Sequence, residues 1–332
     1  MILSEKLDSG DLILLDGGIG SEVERLGGEM HINAWCGVAN KTHPDTVRNV
    51  HESYLKAGSD VITANTFATC RHVLEAAGCG DETVAINRRA VELAREALNI
   101  VAPDKPVAIA GSISNHIAWV AGTVAGDPDT RPSPEREAEN YREWVDILAE
   151  AGCDLLILEM MQDLNHSTRL IEAAKRTGLP LWVGISASRG PNDQLIGWHM
   201  ASEESYRIPD DFPQNLTDPL EEIIDTLTAY GPDVVGIMHS SFYSTTPALE
   251  MLFDRWAGPV MAYPEANGWD AVASAPMSVT PEDFAEYCHQ WVEKGVQIVG
   301  GCCGTTIHHI RAMVDQLPNR PGPRPEPKSV NA

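Results

Sequence analysis

Basic residues are scarce in this chain: 24 Lys and Arg stand against 48 Asp and Glu, and the formal net charge is −24. A protein so negative is repelled by phosphate backbones and anionic headgroups, which argues against nucleic-acid and membrane-surface partners. No uninterrupted apolar run approaches the roughly 18 residues that a membrane-spanning helix needs. Residues 1–16 lack the basic start, apolar centre and small-residue cleavage site of a secretion signal. Cysteines are few and odd in number, seven in 332 residues, which argues for reduced thiols rather than a disulfide framework. These absences give the expectation of a cytoplasmic protein. A dinucleotide fingerprint is missing too. Asp16-Gly17-Gly18-Ile19-Gly20 approaches one but lacks the later glycine, which weighs against a doubly wound open sheet.

What is present is a repeated unit. Hydrophobic residues make up 43% of the chain, enough for a sizeable core and too many for a disordered protein. Length alone allows two domains or one large α/β barrel. Short apolar runs at 12–16, 61–67, 107–113, 155–161, 181–186, 234–239, 260–263 and 296–301 alternate with stretches of helical period such as 82–100, 135–151, 167–177 and 281–293. Ala57-Gly58-Ser59-Asp60, Ala151-Gly152-Cys153-Asp154 and Tyr230-Gly231-Pro232-Asp233 each close a helix on glycine and turn into the next strand. Eight such units predict a single-domain (β/α)8 TIM barrel over residues 1–317. Two segments depart from the repeat. Residues 197–219 form a candidate lid or oligomer contact, or simply a surface loop, and the Pro-rich tail 318–332 is expected to be extended or disordered.

In such a barrel, chemistry collects where strands end and βα loops begin. Strand ends here carry Asp16-Gly17-Gly18, Asn65-Thr66-Phe67, Gly111-Ser112, Glu159-Met160, His239-Ser240-Ser241 and Gly301-Cys302-Cys303-Gly304. Glycines around Cys302 and Cys303 let two neighbouring side chains turn toward one centre, which strand alternation forbids. Two converging thiolates suit a soft metal, with Zn2+ the leading candidate; an unframed Cys-Cys pair would instead pack as small hydrophobes. His239 is the best-placed third ligand at a strand end. The other cysteines fall in predicted loops, helices or helix ends, with Cys70 expected nearest the mouth, and His308 and His309 are read as surface and packing residues. Asp16 and Glu159 either cap helices or bind a cationic group. Beside a metal site, two converging acids suit a substrate bearing a thiol and an ammonium, whose carboxylate the N–H groups of Gly17 and Gly18 would hold.

At these positions the chain resembles the homocysteine S-methyltransferase family. The matching pieces are Leu15-Asp16-Gly17-Gly18-Ile19-Gly20, Ala64-Asn65-Thr66-Phe67, Gly111-Ser112, the strand ending at Glu159, Tyr263-Pro264 and Gly300-Gly301-Cys302-Cys303-Gly304-Thr305. The resemblance implies the same barrel, a zinc ion, and transfer of a methyl group to a thiol. It implies Cys302 and Cys303 as zinc ligands, Asp16 and Glu159 on the acceptor's amino group, Gly17 and Gly18 near its carboxylate, and Asn65, Thr66 and Ser112 lining the pocket. Two positions depart from the family pattern. Strand six ends in Met238-His239 where the family has Asn-Cys, its third zinc ligand, and Glu265 replaces an asparagine after Tyr-Pro. Zinc with three cysteine thiolates and a substrate thiolate has formal charge +2 − 4 = −2, whereas one neutral histidine in place of a cysteine gives −1, a less electron-rich bound sulfur.

The expectation is therefore a zinc-dependent methyltransferase acting on a small-molecule thiol such as homocysteine, giving methionine. Its donor would be a sulfonium or betaine-type onium compound or S-adenosylmethionine, with Trp119, Trp198 or Tyr263 as candidates to face the cationic methyl groups. A homo-oligomer is compatible with the sequence. The alternatives are a zinc enzyme activating water or acting on a different acceptor, and a non-catalytic metal- or ligand-binding protein that keeps the pocket.

Overall fold

The computed structural model describes residues 3–118, 127–199, 217–270 and 275–325. Eight strands occur in the expected order: β1 (Ile13–Leu14), β2 (Val61–Ala64), β3 (Ala108–Ser114), β4 (Leu155–Met161), β5 (Leu181–Ile185), β6 (Val234–Met238), β7 (Val260–Tyr263) and β8 (Ile298–Val299). The hydrogen-bonded order is β1-β8-β7-β6-β5-β4-β3-β2, with every neighbouring pair parallel. The remaining seam, between β1 and β2, is joined partly by side chains. Asp60 N donates to Leu14 O at 2.7 Å, Asp60 Oδ2 accepts from Leu14 N at 3.0 Å, and Asp16 Oδ2 accepts from Thr63 N at 2.7 Å. The result is a nearly closed (β/α)8 barrel.

The principal outer helices follow one per strand: α1 (Pro44–Ala57), α2 (Thr83–Val101), α3 (Pro134–Glu150), α4 (Leu164–Lys175), α5 (Leu220–Ala229), α6 (Phe242–Arg255), α7 (Pro281–Glu293) and α8 (Ile307–Gln316). Proline opens α1, α3 and α7, where a missing N–H costs no hydrogen bond, and Ser133, Asp163, Ser241, Thr280 and Thr306 cap α3, α4, α6, α7 and α8. The glycine punctuation works as the sequence suggests. Gly58, Gly152 and Gly231 take left-handed backbone, and the aspartate two residues later turns back on the preceding strand. Asp60, Asp154 and Asp233 accept the backbone N–H of Leu14, Ile109 and Leu181 through their carboxylates. His309 completes a capping box with Thr306, so it is buried inside its own helix start, while His308 is exposed.

Side chains alternate along the strands, apart from the irregularity near the end of β4. Ile13 and Leu15, Ala108 and Ala110, Leu155 and Ile157, and Met261 and Tyr263 fill the barrel interior with Val61, Trp182, Val234, Met238 and Ile298. Leu3 joins the same cluster from below, and Gln297 Nε2 donates to Lys6 O and Leu7 O, so the first helix (Ser4–Ser9) closes the N-terminal end. Two residues beyond Val61, Ala110 and Ile157 come Thr63, Ser112 and Glu159, polar side chains that line the floor of the site.

Two short hairpins were not expected from the sequence: Ala187–Arg189 with Leu195–Gly197, and Asn267–Asp270 with Ala275–Ser278. Their strands are too short for alternation to show, although Gly190-Pro191-Asn192-Asp193 is a recognisable turn. Residues 318–325 of the tail form neither helix nor strand and are held to the barrel by hydrogen bonds. Leu12 N donates to Asn319 O at 2.9 Å, Gly322 N donates to Val292 O at 2.8 Å, Arg320 pairs with Asp11 at 2.8 Å, and Arg324 donates to the carbonyls of Trp256, Ala257 and Gly258. Residues 326–332 lie outside the described residues, as do 200–216 of the candidate lid. Among the described residues, no helix is long and apolar enough to cross a membrane.

Candidate active site

The C-terminal mouth opens into a cleft holding about 730 Å³ of empty space, lined by residues from both ends of the sequence. Two loops interlock to build it. Thr305 Oγ1 accepts from Gly18 N at 2.8 Å and donates to Cys302 O at 2.6 Å, while Ser21 Oγ accepts from Gly304 N at 3.0 Å. A Cβ on Gly18 would lie 2.5 Å from Cys302 O, so the turn after β1 can approach the cysteine loop only as glycine. Gly304 has φ +74°, which lets the chain leave the cysteine pair and enter α8.

Cys302, Cys303 and His239 come together as the sequence suggests, with their ligand atoms all within 4.8 Å of one another. Cys302 Sγ lies 3.9 Å from Cys303 Sγ and 3.5 Å from His239 Nδ1. Tetrahedral zinc with Zn–S of about 2.3 Å and Zn–N of about 2.0 Å requires S···S of about 3.8 Å and S···N of about 3.5 Å. The donor types therefore suit zinc, and both separations from Cys302 match its tetrahedral spacing. Cys303 is held toward the thiolate by the Cys302 S–H and the facing His239 imidazole, while the same thiol–thiol contact and burial push Cys302 up. His239 follows β6 with φ +41°, a left-handed turn that swings its ring away from the strand line and into the mouth.

The two acids share this cleft. Asp16 is 3% exposed and accepts from Thr63 N and, at 3.1 Å, from Thr63 Oγ1. Burial nevertheless pushes its carboxyl well above the usual range. Glu159 accepts from Ser112 Oγ at 2.5 Å, and burial, outweighing that bond, raises it from 4.5 to about 7. It sits in a bulge of β4, next to Met160 at φ +57°. Both acids are therefore reluctant anions that a cationic partner would recharge. Tyr263 is buried beside them and lines the same cleft.

The other expected residues play more structural parts. Asn65 Nδ2 donates to Cys36 O at 2.8 Å and Asn40 Oδ1 at 3.0 Å, and Thr66 Oγ1 donates to Ser112 O at 2.6 Å. Both border the cleft, but these polar groups tie the surrounding loops together. Gly18 N is occupied by Thr305, which corrects the pairing of Gly17 and Gly18 as joint carboxylate donors. Instead, Ile19, Gly20 and Ser21, the first turn of the helix Ile19–Arg25, line the cleft beside Gly17. The expectation for the remaining cysteines is also corrected. Cys36 lines the cleft, whereas Cys70 is buried in the core at the start of Arg71–Ala76. Trp119 lies outside the described residues, and Trp198 is 6% exposed against the His239 ring. The sequence reading missed Thr63, which inward alternation from Val61 would have found. It also missed Trp35, which packs edge to face against Phe67 at 6.2 Å on the cleft wall and for which no local signal existed.

A family model described as homocysteine S-methyltransferase matches residues 13–317. Among curated relatives, the selenocysteine methyltransferase of Astragalus bisulcatus is 26% identical over 95% of each chain. The homocysteine S-methyltransferase of Escherichia coli K12 is 28% identical over 92% of this chain and 96% of its own. Betaine–homocysteine S-methyltransferase 1 of Danio rerio is 25% identical over 97% of this chain and 77% of its own. Among solved structures, the metallated form of the E. coli homocysteine methyltransferase MmuM superposes with a TM-score of 0.72 at 23% identity, covering 95% of this chain and 100% of that one, a likeness of fold.

Proposed function

The chain belongs to the homocysteine S-methyltransferase family, and we propose that it transfers a methyl group from a small onium compound, of sulfonium or betaine type, or from S-adenosylmethionine, to the thiol of homocysteine, giving methionine. The observation that carries this reading is the presence, in one cleft, of a His-Cys-Cys donor set with zinc spacing and two buried carboxylates. Zinc bound there would keep the acceptor thiol deprotonated near neutral pH.

The remaining work falls to the chain's own residues. Asp16 and Glu159, oriented by Thr63 and Ser112, bind the acceptor's ammonium group and gain their charge as it arrives. The N–H of Gly17, in the turn after β1, receives the acceptor's carboxylate. Trp35 and Phe67 offer aromatic surface to the donor's cationic methyl groups. Holding both partners in line lowers the entropic cost of a bimolecular transfer.

The test is a product screen. Purified zinc-loaded protein is incubated with homocysteine and, in turn, S-methylmethionine, glycine betaine and S-adenosylmethionine, and methionine is measured by mass spectrometry. Methionine from any one donor supports the reading. Metal binding with no methionine from the panel would overturn it in favour of a binding protein or another zinc chemistry.

A further inference from the structure

Histidine is an awkward replacement for a cysteine ligand. It has two nitrogens at different reach, and its ring can turn about the Cβ–Cγ bond. The structure shows what restrains it. The Trp198 indole meets the His239 imidazole edge to face, with ring centroids 5.2 Å apart at 68°. With the ring so placed, Nδ1 is the nitrogen 3.5 Å from Cys302 Sγ. Nδ1 is one bond farther from Cα than a cysteine sulfur would be, whereas Nε2 is two. The nearer nitrogen is thus the one that can stand where a sulfur would.

Trp198 is itself rigidly mounted. It directly follows the hairpin Ala187–Arg189 and Leu195–Gly197, and its backbone N–H donates to Ser186 O at 2.9 Å. Gly197 N donates to Asp218 O at 2.9 Å, and a Cβ at Gly197 would collide with Gln162 O, so the hairpin seats closely on the loop after β4. The hairpin's other strand, at the residue paired with Gly197, reaches the histidine's own loop, where Ala187 N donates to Ser240 Oγ at 2.9 Å and Ser240 Oγ donates to Met238 O at 2.7 Å. One platform therefore holds both the backbone after His239 and the aromatic surface against its ring.

We propose that Trp198 is a positioning residue that fixes the His239 imidazole so that Nδ1, and not Nε2, is the third zinc ligand. The role rests on the ligand set of the proposed function, and it differs from facing the methyl donor, the role the sequence suggested for this tryptophan. Groups that orient a metal-binding histidine typically account for about 10–100-fold in metal affinity.

The experiment measures zinc affinity by chelator competition for wild type, Trp198→Ala, Trp198→Phe and Trp198→Leu, each also in a His239→Cys background. Histidine 15N spectra of the zinc-bound protein accompany the titrations. We expect Trp198→Ala to weaken zinc at least tenfold and Trp198→Phe, which keeps a flat ring, to stay within about threefold of wild type. Trp198→Leu fills the space without a flat face and repeats the loss, which covers an alanine variant that fails to fold. In the His239→Cys background the same changes should matter less than about threefold, because no ring remains to be oriented. The wild-type spectrum should show His239 bound through Nδ1 with its proton on Nε2. Binding through Nε2, an unchanged affinity in Trp198→Ala and Trp198→Leu, or equal losses in both backgrounds would overturn the proposal alone. A His239→Ala variant holding zinc as tightly as wild type would overturn the ligand set beneath it as well.

Discussion

Removing the hydroxyl of Ser112 tests how the site controls charge. In wild type Glu159 is raised to about 7 by burial, and the 2.5 Å bond from Ser112 Oγ opposes that rise. A hydrogen bond to a charged group contributes about 1.5–3 kcal/mol. At 1.36 kcal/mol per pH unit, its loss moves the carboxyl upward by about one to two units. Two thiolates and a neutral imidazole bring bound zinc to a formal charge of +2 − 2 = 0, which leaves this balance little changed. An ammonium acceptor needs Glu159 ionised, so affinity rises as pH climbs through its pKa. With an upward move of about 1.5 units, the ionised fraction at pH 7.5 falls roughly eightfold, and at pH 8.5 only about twofold. Ser112→Ala should therefore raise the KM for homocysteine by about eightfold at pH 7.5 and by about twofold at pH 8.5, with kcat and zinc content nearly unchanged. Steady-state kinetics across pH 6.5–8.5 is the assay. Glu159→Gln, with no charge to recover, should show a raised KM that pH does not rescue. A Ser112→Ala defect equal at every pH, or one confined to kcat, would refute the assignment of Glu159 to the ammonium group.

Three further outcomes follow from other parts of the molecule. His239→Ala should weaken zinc by about 100-fold or more, since losing a ligand costs at least as much as losing its support, whereas His239→Cys should retain zinc and give faster transfer from poorly activated donors. Glu137, 1% exposed and paired with Arg131, Arg169 and His166, is held at about 2; Glu137→Gln should lower unfolding free energy at pH 7 by about 3 kcal/mol. Because this carboxylate's pKa is lowered on folding, its contribution is complete above about 4.5, so the difference from wild type should shrink as denaturation is measured from pH 4.5 toward pH 2. Arg324→Ala frees the carbonyls of Trp256, Ala257 and Gly258 and uncovers the Phe253 ring, and should cost about 1–3 kcal/mol of stability with kcat within about twofold, because this strap lies at the end of the barrel away from the mouth.

The barrel was legible because its signals are local and repeated. Each strand is an apolar run, and glycine-x-aspartate closes three helices at Gly58, Gly152 and Gly231. The cysteine pair was legible for a similar reason, since adjacent side chains framed by glycine limit the geometry within five residues. What escaped depends on contacts far apart in sequence. Cys36 reaches the cleft because Asn65 binds it from β2's end at 2.9 Å, and nothing near residue 36 encodes that meeting. Gly18 loses its free N–H to Thr305, 287 residues away. Thr63 was in principle within reach, being inward by alternation, but Asp16 recruits it across the one seam where the sheet ladder gives way to side chains. Trp198 illustrates the same limit, because its contact with the His239 ring joins positions 41 residues apart.

Zinc K-edge X-ray absorption, recorded on the zinc-bound protein before and after addition of homocysteine, reports whether the metal holds the acceptor thiol. A His239-Cys302-Cys303 site gives a shell of two sulfurs with nitrogen or oxygen in the protein alone and gains a third sulfur when the thiol is added. A shell that homocysteine leaves unchanged, or three sulfurs before any thiol is present, would contradict it.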